Sequence, residues 1–427
     1  MEKCLKNEYS FVSAQEAKSA QQRVIIIEVD RKAESTVDTT SVIDEKWSDC
    51  LKKGKNRLAV RIWKGGSNWW NLNRNQDPVE IARQEIRGYQ IARQAFQEHQ
   101  SSNITIPRVL HYQLNDQNTS SSSGRHCWAV LEYVGLHSTS FDENHRLPVS
   151  SYLDGMVKVR HEFGFDEPHP RWGRVPVEEC LDYATMILKE VVLPLQRFYT
   201  KRIVTTHDVD DNDTKPQNYA TMVQKYHNTF QELWSSSQND AAMQTDERMM
   251  RALETVKEAV TRILPQHLSN IPPMSPVLVH LDLQPQNLLF YKTATTQNNN
   301  NNNNKEEEES NSTLHVSSIL DWEDASFADP RLELLLMCRK VCANRSQAKA
   351  LWSLFRTESL SSLSSLVVDP GPMEPWLQLE CIHSILTLLL QSMDLLNGGR
   401  NPWESKRDLR GKLQRELYRW NALNLNV

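Results

Sequence analysis

Neither of the two common glycine-rich phosphate signatures, G-x-G-x-x-G or G-x-x-x-x-G-K-[ST], occurs in the 427 residues, so the chain carries no dinucleotide fingerprint and no P-loop. No secretory signal is expected: Met1 to Glu8 is charged, but no apolar segment follows. No uninterrupted apolar run is long enough to cross a bilayer, so no membrane span is expected. Charge of one sign is scarce. A formal net charge of -5 provides no basic stripe, and a nucleic-acid partner is not expected. Cysteine is sparse and scattered: the seven, at 4, 50, 127, 180, 338, 342 and 381, include no CxxC pair with a second pair or histidine partners. Cys338 and Cys342 fall four apart on an apolar helical pattern and read as two small buried residues. Reduced thiols in a cytoplasmic setting fit this usage.

The length allows two lobes and a sizeable core. Residues 1–22 are polar and read as an arm or a short helix without function. Val24 to Asp30 is β-branched and reads as a strand, followed by a Ser- and Thr-rich loop from Arg31 to Ser41. Further strands are expected over Val42 to Leu51 and Arg57 to Trp63, giving an antiparallel meander. Asp77-Pro78 opens a helix, with Asp77 as cap, on which Ile81, Glu85, Gly88, Tyr89 and Ala92 repeat at helical spacing. Ile106 to Tyr112 and Cys127 to Val134 are two more strands, around a polar loop from Asn115 to Gly124. From about residue 150 the pattern is helical, with amphipathic stretches over Val177 to Lys201 and Arg248 to Leu268 and closing helices near Leu332 to Cys342, Ser346 to Phe355, Trp376 to Leu396 and Lys406 to Trp420. Residues 297–313, with their run of Asn and Glu, read as a disordered insertion in a hairpin.

Two segments carry the chemistry. The first runs from Val279 to Phe290 and contains His280-Leu281-Asp282-Leu283-Gln284-Pro285-Gln286-Asn287; the second is Ile319-Leu320-Asp321-Trp322-Glu323-Asp324-Ala325. The first sets carboxylate and amide oxygens, and the second carboxylate oxygens, between strand-like apolar residues. Such groups can orient a hydroxyl and hold Mg²⁺ against phosphates, which is what phosphoryl transfer requires of a protein. Read singly, Asp282 and Asn287 also suit a polar turn, and Asp321 an Asx cap. Their order and flanks favour the chemical reading.

These residues resemble the aminoglycoside phosphotransferase family, which is similar to choline kinase and, more distantly, to protein kinases. His280 to Asn287 matches the family's H-x-D-x-x-x-x-N, and Leu320 to Glu323 with Ala328-Asp329-Pro330 matches its I-D-W-E and G-D-P elements. The resemblance is strong over roughly residues 277–340 and moderate over 57–135. It implies an α+β, bilobal, protein-kinase-like fold: a small antiparallel-sheet lobe with one helix over residues 23–134, and a larger, mainly helical lobe over 135–427 that carries catalysis and acceptor binding. The implied activity is ATP-dependent transfer of the γ-phosphate to a hydroxyl of a small molecule. Asp282 would accept the hydroxyl proton, and Asn287 and Asp321 would hold Mg²⁺.

Leu58-Ala59-Val60-Arg61 stands where kinases have V-A-I-K, so the resemblance implies that Arg61 binds the α and β phosphates and that Glu85 holds it. Lys64 is a weaker rival on the opposite strand face. Leu131 to Gly135 looks like the hinge, where Glu132 and Val134 would bind adenine through backbone groups. In place of a glycine-rich loop, Ser35, Thr36 and nearby amides are assigned to the phosphates. His280 is expected to brace its loop and Asp329 to cap a helix, while Glu323 and Asp324 face either a cationic acceptor or water. Trp69, Trp70 and Trp172 are read as packing residues. A protein kinase is disfavoured, because few residues separate Asp321 from the helix near Arg331 and no A-P-E follows. A choline or ethanolamine kinase, or a pseudokinase-like binding protein, are the alternatives.

Overall fold

The computed structural model describes residues 9–17, 23–31, 55–63, 66–68, 72–98, 104–114, 127–134, 146–147, 179–198, 217–238, 240–283, 287–294, 312–342, 344–362, 370–396 and 406–424. The amino-terminal part is one antiparallel sheet. It contains β1 (Tyr9–Ala17), β2 (Arg23–Arg31), β3 (Lys55–Trp63), β6 (Val109–Gln113) and β7 (Cys127–Glu132), in the order β1-β2-β3-β7-β6. A small hairpin, β4 (Gly66–Asn68) and β5 (Asn73–Gln76), precedes helix α1 (Pro78–Glu98). Asp77 caps α1 as expected, its Oδ1 accepting from the Val79 N–H at 2.8 Å.

Alternation along β3 decides what the sheet offers to each side. Leu58 and Val60 pack with Ile27, Val29, Leu110 and Val130 on one face. Trp63 turns to the other face, where Cys127 and Ala129 meet Val79, Ala82 and Ile86 of α1. Arg61 shares the α1 side, buried at 9% exposure. The first strand departs from expectation: residues 9–17, read as part of an arm, pair antiparallel with β2, Tyr9 opposite Arg31 and Ala17 opposite Val24. Gln15, Glu16 and two serines suit the edge strand that β1 is among the described strands, and that polarity masked the strand in sequence. The strand expected over 42–51 lies outside the described residues.

The remainder is mainly helical. Helix α2 (Cys180–Ile187) runs on through a π-turn (Leu188–Val192), and α4 (Glu247–Glu258) through another (Ala259–Ile263). Between them lies α3 (Tyr219–Ser237), which the sequence reading omitted. Its signals are an Asn218/Thr221 capping box and Met222, Val223, Tyr226, Phe230 and Leu233 along its buried side. Strands β9 (Val277–Val279), β10 (Leu288–Ala294), β11 (Ser312–Ile319) and β12 (Ser326–Ala328) follow, with a two-residue β8 (Arg146–Leu147) pairing to β10. Helices α5 (Pro330–Lys340), α6 (Arg345–Ser362), α7 (Glu374–Leu396) and α8 (Lys406–Asn424) close the chain.

Two further expectations change. Ser312 and Thr313, placed at the end of the insertion, belong to the ladder opposite Ala294 and Thr293; residues 297–311 lie outside the described residues. Helix α7, contrary to the reading that nothing could span a bilayer, is long and apolar enough to do so by length and composition. Its most apolar window is 67% buried within the protein, where Trp376, Ile382, Leu386 and Leu389 belong to the main core. Cys338 and Cys342 are buried, as are the other described cysteines, Cys127, Cys180 and Cys381.

Candidate active site

Strand register explains why two distant segments form one site. Val279, the last residue of β9, lies opposite Ser326, the first of β12, and Leu288, the first of β10, lies opposite Ile319, the last of β11. The loops 280–287 and 320–325 therefore leave the sheets at the same end. Ala294 and Ser312, the described residues on either side of 295–311, pair at the other end of this ladder, seven residues of β10 away, roughly 20 Å. The segment between them divides the motif in sequence without separating its halves in space.

In the first loop, His280 is fully buried, its Nε2 at 2.8 Å from the Leu320 carbonyl and its Nδ1 accepting from the Asp282 N–H at 3.2 Å. Its ring packs on Trp322 at 4.6 Å between centroids. Burial lowers its pKa, so the neutral ring bridges the two loops, which is the bracing role expected of it. Asn287 donates from Nδ2 to Asp282 Oδ2 at 2.6 Å and to the Asp282 carbonyl at 2.9 Å. This leaves its Oδ1 as the atom suited to a hard cation. Lys340 Nζ contacts the other carboxylate oxygen of Asp282.

In the second loop, Asp321 has a left-handed backbone (φ 63°), as does Leu281 before Asp282 (φ 63°). Such conformations cost on the order of 1–2 kcal/mol at a non-glycine residue and persist where surroundings fix them. Here the fixing groups are identifiable: the Asp321 N–H donates to Tyr89 Oη at 3.1 Å, and the Leu281 N–H to Glu333 Oε2 at 3.0 Å.

Helix α1 couples the sheet to this loop. Glu85, fully buried, meets Arg61 Nε at 2.9 Å and accepts from Trp63 Nε1 at 2.7 Å. One turn on, Tyr89 holds Asp321, and Gln84 donates to the Ala325 carbonyl at 2.7 Å. Gly88 lets the helix come close: a Cβ there would lie 2.9 Å from Trp322 Cβ. Arg61 Nη2 reaches Asp321 Oδ1 at 2.5 Å and Glu323 Oε2 at 3.4 Å. Burial opposes the Arg61 charge, but Glu85 and Asp321 outweigh it and raise its pKa. Burial pushes Glu85 up to about 7 against the pull of Arg61, and burial together with Asp321 pushes Glu323 up as well.

Helix α5 supplies groups that the sequence reading passed over. Residues 330–338 are buried, yet the helix carries Arg331, Glu333, Arg339 and Lys340. Glu333 and Lys340 are seven apart and share one face. Glu333 Oε2 accepts from the N–H groups of His280 and Leu281 while Lys340 meets Asp282, so one helix face holds three consecutive loop residues. The signal was two charges at this spacing in a run of leucines, and only the tertiary structure says what they meet.

Burial raises the Glu333 carboxyl to about 7, although its two N–H donors favour the charged form. Because its pKa is lower in the unfolded chain, its contribution to stability is complete below about pH 4.5 and is lost as pH rises through about 7. Glu333→Gln keeps an acceptor for both amides but does not titrate. We expect it to flatten the pH dependence of stability across that window by on the order of 3 kcal/mol, read from urea melts at a series of pH values.

The structure brings together Arg61, Glu85, Asp282, Asn287 and Asp321. Glu132 and Val134 lie at the end of β7, Glu132 donating its N–H to the Arg108 carbonyl at 2.8 Å. Glu323, read as facing an acceptor or water, instead contacts Arg61. Asp329 caps α5 through the Arg331 N–H at 3.0 Å, as expected. Ser35, Thr36, Lys64, Trp69, Trp70 and Trp172 lie outside the described residues. Among the described residues no cluster of three or more His, Cys, Asp or Glu suits a metal on its own. Two protein oxygens plus phosphate is the arrangement Mg²⁺ commonly takes.

No protein-family model and no curated protein sequence matches the chain. Solved structures similar to it include a microcompartment-associated aminopropanol kinase (10% identity, TM-score 0.47, 96% of this chain and 91% of that one). They also include the ADP-bound aminoglycoside phosphotransferase APH(2'')-Ib (13%, 0.40, 98% and 96%), and a choline kinase from Cryptosporidium parvum (12%, 0.43, 99% and 91%).

Proposed function

We propose that this protein is an ATP- and Mg²⁺-dependent phosphotransferase that passes the γ-phosphate to a hydroxyl of a small molecule. The observation that carries the reading is the convergence of Asp282, Asn287 and Asp321 at one end of two strand pairs, with Arg61 held against Asp321 by buried Glu85.

In this reading the sheet, residues 23–134, and the helical part, residues 135–427, act as two lobes with the nucleotide between them. Adenine lies against the backbone of Glu132 and Val134, and Ser35 and Thr36 complete the phosphate contacts. Arg61 exchanges its contact with Asp321 for the α and β phosphates while Glu85 keeps its Nε, so the guanidinium turns without losing its anchor. Asn287, its Nδ2 fixed by Asp282, presents Oδ1, and Asp321 presents its carboxylate; together they would hold Mg²⁺, which neutralises charge on the phosphates. Asp282 orients the acceptor hydroxyl and takes its proton. The buried cysteines suit a cytoplasmic protein.

The second reading is a pseudokinase-like binding protein, favoured by one observation: both carboxylates of the site, Asp282 and Asp321, already contact cations, Lys340 and Arg61. A choline- or ethanolamine-type kinase is a narrower form of the first reading. Screening ATP consumption against amino alcohols, sugars and aminoglycosides, with Asp282→Asn as blank, separates these. Acceptor-dependent consumption supports transfer, choline or ethanolamine as the one productive acceptor supports the narrower form, and nucleotide binding without consumption supports the binding protein.

A further inference from the structure

Lys340 is the cation of the site that the transfer reading above does not use, and its surroundings suit more than neutralising Asp282. It is the last residue of α5, and its neighbour Arg339 is locked in a buried network: Nη2 to Glu416 Oε1 at 2.8 Å and Nη1 to Glu380, both of which also bind Arg419. The backbone at Lys340 is therefore fixed. Its side chain is not buried to the same degree: the side chains of Lys340 and Asp282 are each 19% exposed, so the contact is within reach of solvent. Both oxygens of Asp282 are engaged, Oδ2 by Asn287 and Oδ1 by Lys340. A hydroxyl approaching Asp282 must displace one of them. Asn287 is tied to the loop by a second bond to the Asp282 carbonyl and by its own carbonyl, which accepts from the Leu320 N–H at 2.8 Å. Lys340 is a compact charge on a four-carbon stem and can move without disturbing its helix.

We propose that Lys340 is a second cation of the transfer site, resting on Asp282 in the free protein and moving to the transferring phosphoryl group when the acceptor hydroxyl takes its place. This rests on the phosphotransferase reading and deepens it. In the step, a lone pair of the acceptor oxygen forms the new O–P bond, and the electrons of the bridging P–O bond leave with the nucleoside diphosphate. The hydroxyl proton passes to Asp282. Lys340 transfers no proton and contributes only charge, on the acceptor side of the phosphorus, while Arg61 contributes it on the nucleotide side. A bare Asp282 carboxylate would repel the incoming polyphosphate; the resting contact removes that repulsion, and the exchanged one stabilises equatorial oxygens as the phosphoryl crosses.

The test uses the full chain with Mg²⁺-ATP, with water as the acceptor in phosphate release and then with the best hydroxyl compound of the screen. Lys340→Met is expected to lower kcat at least about 100-fold with KM for ATP changed less than about threefold, and Lys340→Arg to recover the rate to within about tenfold of wild type. Lys340→Ala should regain rate on addition of methylammonium, a response that a merely structural contact does not give. Lys349→Met, at an exposed lysine 3.9 Å from Glu374, is the control and should be unchanged. A Lys340→Met protein with wild-type kcat overturns the inference alone. So do Ala and Arg variants that are equally slow, lowered in Tm and unresponsive to the amine. A wild-type protein that binds Mg²⁺-ATP but transfers to neither water nor any hydroxyl compound overturns the phosphotransferase reading and this inference with it.

Discussion

Asp282→Asn is expected to reduce Mg²⁺-dependent phosphoryl transfer at least about 1,000-fold, at the upper part of the range for general bases, while leaving the protein folded. An amide matches the carboxylate in shape but cannot take the proton of the acceptor. Its oxygen can still accept from Asn287, so the loop keeps the 2.6 Å contact that orients it. What is lost besides the base is the ion pair with Lys340, and a partly exposed pair of this kind contributes only about 1 kcal/mol or less. Thermal melts of the two proteins should nearly superimpose, and the transfer rates should not. A variant with wild-type turnover would remove Asp282 from the chemistry, and one that is inactive because it is unfolded would show the loop to be structural.

Arg331→Met is expected to have the largest effect on stability, a loss of about 3–5 kcal/mol. Arg331 is 1% exposed and has every guanidinium nitrogen occupied. Nε and Nη2 meet the Asp329 carboxylate at 2.8 and 2.5 Å, while Nη1 reaches the Pro370 carbonyl at 3.1 Å and Nη2 the Pro272 carbonyl at 2.8 Å. The guanidinium also lies 4.7 Å from the Trp376 ring centroid. Methionine fills part of the volume but strands a buried carboxylate and two carbonyls. The double variant Arg331→Met/Asp329→Asn should recover part of the loss, because it removes the orphaned charge while leaving an oxygen for the cap. Urea denaturation of both variants measures this. Stability as high in the single as in the double variant would mean that water or another group reaches Asp329.

What the sequence disclosed was local. Asp282 and Asn287 are five apart in one loop, and Asp321 sits between two apolar strand ends, so spacing and flanks suffice to mark them as candidates. Arg61 and Glu85 were also within reach, since the period of β3 puts Arg61 on the side of Trp63 and the period of α1 brings Glu85 beneath it. Lys340 and Glu333 were not, because their meaning depends on which loop α5 packs against, and no local pattern encodes that. Helix α3 escaped for another reason: its Gln, Asn, His and Ser content dilutes the apolar stripe, and the Asn218 cap carries the signal instead. Edge strand β1 escaped because its polarity is what protects it from pairing with other chains.

The central claim is that Asp321 and Asn287 hold a metal against a nucleotide anchored by Arg61. It is tested most directly by equilibrium titration of ATP into the protein with Mg²⁺ or with EDTA, repeated on Asp321→Asn. We predict that Mg²⁺ tightens ATP binding to the wild type at least about tenfold, equivalent to about 1.4 kcal/mol, and that this gain disappears in Asp321→Asn. ATP affinity that is the same with Mg²⁺ and with EDTA, or a Mg²⁺ effect that survives the loss of the Asp321 carboxylate, would contradict it.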